Sequence, residues 1–302
     1  MKNPLAFALA LALFAPAFAQ PPNAGGAGAP KQKAKKEFRE PTWKMPPVEG
    51  PNLHYQTFQS KAAGEAVSYL IYLPPDYDTA KDRRYPAVYW LHGIGGAQAG
   101  VPAMAGRLTE AIAAKKTPPM IVVYVNGMIN SGYADGKYAV ETVTIEELIP
   151  HIDATYRTIA TRDRRVIEGF SMGGGGAAKW GFKYPELFGT VSILAGAMRN
   201  PAAPSAPGMT ERDPADSPWL LVEKNLDKIR GHTAIRVVVG GKDGLKETNT
   251  KYHELLDRLG LAHEFHVIAD AIHSPNPLYD GLGDQNWSFY RAALARENVD
   301  RK

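Results

Sequence analysis

Three residues of this 302-residue chain are of the types that together attack a carbonyl carbon: Ser171, Asp243 and His273. Ser171 lies in the run "GFSMGGGGAAKWGF", with glycine two positions before it and two after it. Glycines at 169 and 173 remove the Cβ atoms that would collide across a sharp strand-to-helix turn, the kind of turn that presents a serine Oγ at its tip. The same glycines also suit a plain tight turn, so the partners must decide. A serine hydroxyl is a weak nucleophile and needs a base, with an acid to orient that base. "GGKDG" places Asp243, and "DAIHSPNP" places His273, each just after a later apolar run. Singly, Asp243 also reads as a turn former and His273 as a loop histidine. Their order after the serine, each at the carboxyl end of a strand, favours a triad.

Acyl chemistry also needs donors for the oxyanion. "YWLHGIGG" (89–96) ends a buried strand in a flexible turn some eighty residues before Ser171. The expected donors are the backbone N–H of Ile94 in that turn and of Met172, just after the nucleophile. His92 reads as a support for the loop, not as a second base.

These residues require a sheet to hold them. Continuously apolar runs such as "AVYWLH", "MIVVYV" and "IRVVV" read as strands buried on both faces, as in a largely parallel sheet. The pattern predicts strands over 66–73, 87–92, 120–126, 165–169, 190–194, 234–240 and 264–268. Helices are predicted over 107–114, 142–156, 173–182 and 248–259. This alternation is α/β, with helices on both faces of the sheet. No internal repeat or composition break divides residues 41–302, which read as a single domain.

Other chemistries fit less well. "GGGGAA" (173–178) formally matches a dinucleotide-binding turn, yet the next strand, "TVSIL", ends in Ala195-Gly196, not in the acidic residue that would hold a ribose. No phosphate-binding lysine follows. His263 and His266, three apart in a strand, face opposite sides, which disfavours a metal site shared by that pair. There is no H-E-x-x-H, and "DGLGDQN" lacks the spacing of a calcium loop. No metal and no cofactor are expected.

Composition narrows the setting. A 44% hydrophobic content at this length supports a large core and excludes disorder as the main state. Residues 1–19, with Lys2, an apolar run from Leu5 to Phe14 and Ala17-Phe18-Ala19, read as a signal peptide too short to be a membrane span. Export to the periplasm or the exterior follows. Residues 20–40, rich in Pro, Gly and Ala before turning basic, read as a flexible linker. The absence of cysteine excludes disulfides. The net charge of +4 belongs to the leader and linker: once the 6 basic and 2 acidic residues of 1–40 are set aside, 29 of each sign remain. Nucleic acid is therefore not an expected partner.

"LHGIGG", "IEELIPHIDATYRT", "EGFSMGGGGA" and "GGKDG", in this order, resemble the esterase D family, which includes feruloyl and acetyl-xylan esterases, enterochelin esterases and mycolyltransferases. The similarity runs from about Leu53 to Arg291. It implies the α/β-hydrolase fold, with a mostly parallel central sheet of about eight strands, and a catalytic triad of Ser171, Asp243 and His273. It implies a serine carboxylesterase acting on feruloyl or acetyl esters of plant polysaccharides or related small esters. The alternatives are a siderophore esterase, an envelope acyltransferase and a non-catalytic carbohydrate-binding relative. Specificity is expected from the loops at 195–219 and 126–142, with Tyr133, Trp219, Tyr279 and Trp287 as aromatics that could stack on substrate or merely pack under their loops.

Overall fold

Every apolar run identified above becomes a strand of one sheet. The computed structural model describes residues 41–96, 100–201 and 213–296. The expected signal peptide and linker lie outside the described residues, as do 202–212 within the long proline-rich loop. The strands are β1 (Leu53–Gln59), β2 (Ala66–Tyr72), β3 (Ala87–Leu91), β4 (Ile121–Val125), β5 (Arg165–Phe170), β6 (Thr190–Leu194), β7 (Ala234–Gly240) and β8 (Glu264–Ile268). They lie side by side in the order β1-β2-β4-β3-β5-β6-β7-β8. β2 runs antiparallel to both β1 and β4, and the remaining pairs are parallel. β1 had no sequence signal strong enough to read: it is an edge strand whose residues are mostly half-exposed or exposed, so it carries little of the apolar content that marks its neighbours.

Period-two alternation sends successive side chains of each central strand into two different cores. Tyr89 and Leu91 of β3, with Ile167 of β5, face one core, where they meet Trp180, Phe182, Phe188 and Tyr252. Val88, Trp90, Val166 and Phe170 face the other, with Leu108, Leu278 and Tyr290. The first core is covered by α2 (Val140–Thr142), α3 (Ile149–Thr155), α4 (Met172–Lys183), α5 (Pro218–Lys224), α6 (Leu226–Ile229) and α7 (Lys246–Arg258). The second is covered by α1 (Val101–Ala113), α8 (Pro275–Leu282) and α9 (Asp284–Ala295).

The helix expected over 142–156 is not uniform. Between α2 and α3 the turn widens into a π-helix over Val143–Leu148, immediately before Pro150. Proline has no N–H to donate and its ring crowds the carbonyl four residues back, so a wider turn relieves the clash inside a continuing helix. Among the described residues, no helix is long and apolar enough to cross a membrane.

Candidate active site

Ser171 sits between β5 and α4 with φ 58° and ψ −116°, a left-handed conformation that a side chain rarely adopts. The close approach around it leaves no room for larger residues. A Cβ on Gly169 would lie 2.1 Å from the Gly173 carbonyl oxygen, and one on Gly173 would lie 2.0 Å from that of Leu91. The Ser171 carbonyl accepts from the N–H groups of Gly175 at 3.0 Å and Ala197 at 2.8 Å, which locks the turn to α4 and to the end of β6.

Asp243 follows β7, and His273 follows β8. Their loops are bonded to each other: the Lys242 N–H donates to the Ala271 carbonyl at 3.1 Å, and the Gly241 N–H to that of Ile268 at 2.7 Å. His273 Nε2 lies 2.8 Å from Ser171 Oγ, and His273 Nδ1 lies 2.8 Å from Asp243 Oδ2. The other oxygen, Asp243 Oδ1, accepts the Leu245 N–H at 2.8 Å, so the buried carboxylate is held from both sides. The imidazole is 40% exposed and packs on the Phe170 ring at 4.7 Å, which leaves one edge open to an incoming molecule.

The turn bearing Ile94 lies directly against this group, since a Cβ on Gly93 would sit 3.3 Å from Ser171 Cβ. Among the described residues, neither the Ile94 N–H nor the Met172 N–H donates to a protein acceptor. His92 braces the turn from behind. Its Nδ1 donates to the Gly93 carbonyl at 2.8 Å, its Nε2 accepts the Gly127 N–H at 3.0 Å, and its own carbonyl accepts from Tyr133 Oη at 3.0 Å. Both ring nitrogens are thereby used by a neutral imidazole. Burial pushes the His92 pKa below its ordinary value, which agrees with that state.

Of the four aromatic residues expected at the substrate, three are buried and one is half-buried. Tyr133 is wholly buried, edge-on to Trp180 and pressed against Gly127 and Gly176, so it is a strut under its loop. Trp219 is buried against Tyr252, with its indole N–H on the Met198 carbonyl at 3.3 Å. Tyr279 is buried too: its hydroxyl donates to Glu168 Oε1 at 2.6 Å and accepts the Trp90 indole N–H at 3.1 Å. Trp287 is half-buried and lines, with Tyr279, a cavity of about 500 Å³ between α1 and α9 that includes no member of the triad. Aromatic type alone could not separate these packing roles from ligand contact.

One feature escaped sequence reasoning. Glu168 Oε2 pairs with Arg236 at 2.9 Å, both buried, and Arg236 also reaches Ser192 Oγ at 3.1 Å and stacks on Phe289. Through Tyr279 this network ties α8, which begins just after His273, to the strand that carries Ser171. A charged residue inside the otherwise apolar "VIEGF" is the signal that could have flagged it. The two loops expected to set specificity do border a cleft of about 470 Å³, lined by Met128, Asn130, Lys137, Tyr138, Gly175 and Ala197, among others, and including no member of the triad.

Residues 60–300 match the esterase family, described as "Putative esterase". The chain belongs to that family. "Esterase Rv1288" of Mycobacterium tuberculosis is 36% identical over 152 residues, covering 48% of this chain and 32% of the relative. The "Endo-1,4-beta-xylanase/feruloyl esterase" of Xylanibacter ruminicola is 35% identical over 156 residues, covering 48% of this chain and 22% of the relative. The matches thus span a third or less of these curated relatives. Among solved structures, a ferulic acid esterase superposes with a TM-score of 0.68 at 24% identity, covering 80% of this chain and 97% of the other. S-formylglutathione hydrolase from Staphylococcus aureus gives 0.59 at 15%, covering 79% and 98%. The fold of this esterase-family chain is the α/β-hydrolase fold.

Proposed function

We propose that this esterase-family chain is a serine carboxylesterase that works through an acyl-enzyme on Ser171. The observation that carries the reading is the His273 imidazole spanning Ser171 Oγ and Asp243 Oδ2, at 2.8 Å on each side. Nε2 takes the hydroxyl proton as Oγ attacks the ester carbonyl, while Asp243 holds Nδ1–H and stabilises the imidazolium. The Ile94 and Met172 N–H groups receive the developing oxyanion. Collapse of the tetrahedral intermediate expels the alcohol, which leaves with the proton from Nε2. Water then repeats the sequence on the acyl-enzyme and releases the acid. Each role is filled by a side chain or a backbone amide, so the chemistry calls for no cofactor.

For substrate, we place feruloyl or acetyl esters of plant polysaccharides first; the feruloyl part draws on the names of the xylanase/feruloyl esterase relative and the ferulic acid esterase neighbour. The 470 Å³ cleft between the 126–142 and 195–219 loops, which reaches Gly175 in the first turn of α4, has room for a sugar or a phenolic acid, and its Asn130 and Lys137 offer polar contacts. Residues 1–19 as an export signal and 20–40 as a linker suit such an extracellular or periplasmic substrate. Turnover of p-nitrophenyl acetate, methyl ferulate and acetylated xylan by the wild type and by Ser171→Ala tests the reading. The expected loss in the variant is about 10⁴-fold or more. Wild-type rates from folded Ser171→Ala would overturn it.

A further inference from the structure

At the far end of α7 from Asp243, the sequence "HELLDRLGLAH" (253–263) has the spacing of an extended zinc-binding pattern, H-E-x-x-H-x-x-G-x-x-H, with aspartate in place of the second histidine. We propose that His253, Asp257 and His263 form a binding site for a divalent transition-metal ion of the zinc class.

His253 and Asp257 stand at i and i+4 on α7 and therefore share one helix face. The helix stops at Arg258, and Gly260, at φ +64°, takes the left-handed conformation that reverses the chain. That reversal returns His263 over the same helix face, just before β8. One ligand atom from each of the three residues lies within 4.8 Å of the others. The reading of His263 against His266 missed this, because the partner is on another element.

The second contacts of these groups are those a metal ligand needs. His263 Nδ1 donates to the Leu261 carbonyl at 2.7 Å, which leaves Nε2 with its lone pair, and Nε2 points at His253 Nδ1 2.7 Å away. The His253 ring is fixed by stacking on Phe265, with centroids 4.2 Å apart and planes 12° off parallel. The His263 side chain is only 3% exposed, whereas that of Asp257 is 62% exposed and can turn about its own bonds. Asp257 Oδ2 is 3.4 Å from His253 Nε2 and its Oδ1 is 4.0 Å from His263 Nδ1, the ring nitrogens turned away from the imidazole pair, so the exposed carboxylate must swing toward that pair to ligate. Two nitrogens on a tetrahedral zinc sit about 3.3 Å apart, so the pair at 2.7 Å must open by about 0.6 Å and the rings tilt until both lone pairs converge on the ion. Two imidazoles and one carboxylate suit zinc, cobalt, nickel or copper better than calcium or magnesium, which prefer all-oxygen shells. Three protein ligands leave the fourth position to water.

The ion would staple the carboxyl end of α7 to the start of β8. From Lys246 to Asp257 the helix rises about 16 Å, away from the triad edge. Metal binding is therefore expected to raise stability and leave ester turnover unchanged.

The test uses purified protein freed of any histidine tag and treated with chelator. Zinc chloride is titrated by calorimetry, and cobalt chloride is followed by its visible absorption. The wild type is expected to bind one equivalent saturably, to show the intense bands of low-symmetry cobalt, and to melt several degrees higher with excess zinc. His253→Gln, His263→Gln and Asp257→Asn should each weaken zinc by roughly tenfold or more and abolish the thermal shift. Circular dichroism reports folding, and the exposed Asp257→Asn keeps the test open if a histidine variant fails to fold. Two results would overturn the site. One is no saturable zinc binding by the wild type. The other is wild-type affinity in Asp257→Asn together with whichever histidine variant folds.

Discussion

Adding one methyl group at Gly173 tests whether the turn must be as tight as it is. The Cβ of Gly173→Ala would meet the Leu91 carbonyl oxygen at 2.0 Å, the Leu91 carbonyl carbon at 2.4 Å and the His92 carbonyl oxygen at 2.7 Å. All three atoms are backbone at the end of β3, so no side chain can swing away. Real Cβ atoms essentially never come closer than 3.0 Å, so α4 and the end of β3 must separate by about 1 Å. That gap separates Ser171 from the turn bearing Ile94. A misplacement of about 1 Å is worth roughly 10²-fold in rate, and overpacking a tight site costs about 1–3 kcal/mol. At 2–4 °C per kcal/mol, melting should fall by roughly 2–12 °C. The assay is p-nitrophenyl acetate turnover with a fluorophosphonate labelling rate, beside a melting curve. Gly106→Ala is the control: it sits within α1 with nothing within 4 Å of the added Cβ, and should gain about 0.5–1 kcal/mol without loss of rate. A Gly173→Ala variant with wild-type kcat/KM and melting temperature would refute the packing argument.

Two further outcomes follow from buried charge and burial. Glu168→Gln keeps the shape but leaves Arg236, 0% exposed in its side chain, without its counter-charge, and should cost about 3–5 kcal/mol in urea or thermal unfolding; a loss below about 1 kcal/mol would mean that Ser192 and the Phe289 ring suffice for Arg236. Burial depresses the His92 pKa below its ordinary 6.5, so between the folded and unfolded values the unfolded chain binds the extra proton. The stability tied to a neutral His92 is therefore full above pH 6.5 and declines as pH falls below it. Urea midpoints of wild type and His92→Gln from pH 7.5 down to pH 5 should show a shallower dependence in the variant. Equal slopes would remove His92 from the acid response.

Much of the scaffold was legible because central parallel strands are buried on both faces. Such strands are mostly apolar, and "IVVYV", "TVSIL" and "AIRVVVG" announce themselves for that reason, their buried Ser192 and Arg236 being bonded to each other. β1 did not, since an edge strand has no such requirement. α8 and α9 were missed as well. α9 carries only part of its sequence into the core, and α8 begins at Pro275, immediately after the His273 loop.

The site divides along a similar line. That Ser171 lies between glycines is written in five consecutive residues, and at Gly169 the reason is local, since a Cβ there would meet the Gly173 carbonyl; at Gly173 the reason is tertiary, since a Cβ there would meet Leu91 and His92 at the end of β3. The order serine, aspartate, histidine is also written in the chain, because each residue follows the strand that carries it. Whether an aromatic side chain meets a ligand or a core is not local. Tyr133 and Tyr279 became struts because of groups brought to them from far along the chain, His92 in one case and Glu168 with Trp90 in the other. The Glu168–Arg236 pair joins residues 68 positions apart, and only the parallel pairing of β5, β6 and β7 brings them together. Sequence by itself determined which residues could react and which strands would carry them. Tertiary structure alone decided which polar and aromatic groups face one another, because burial and pairing depend on neighbours that no local pattern records.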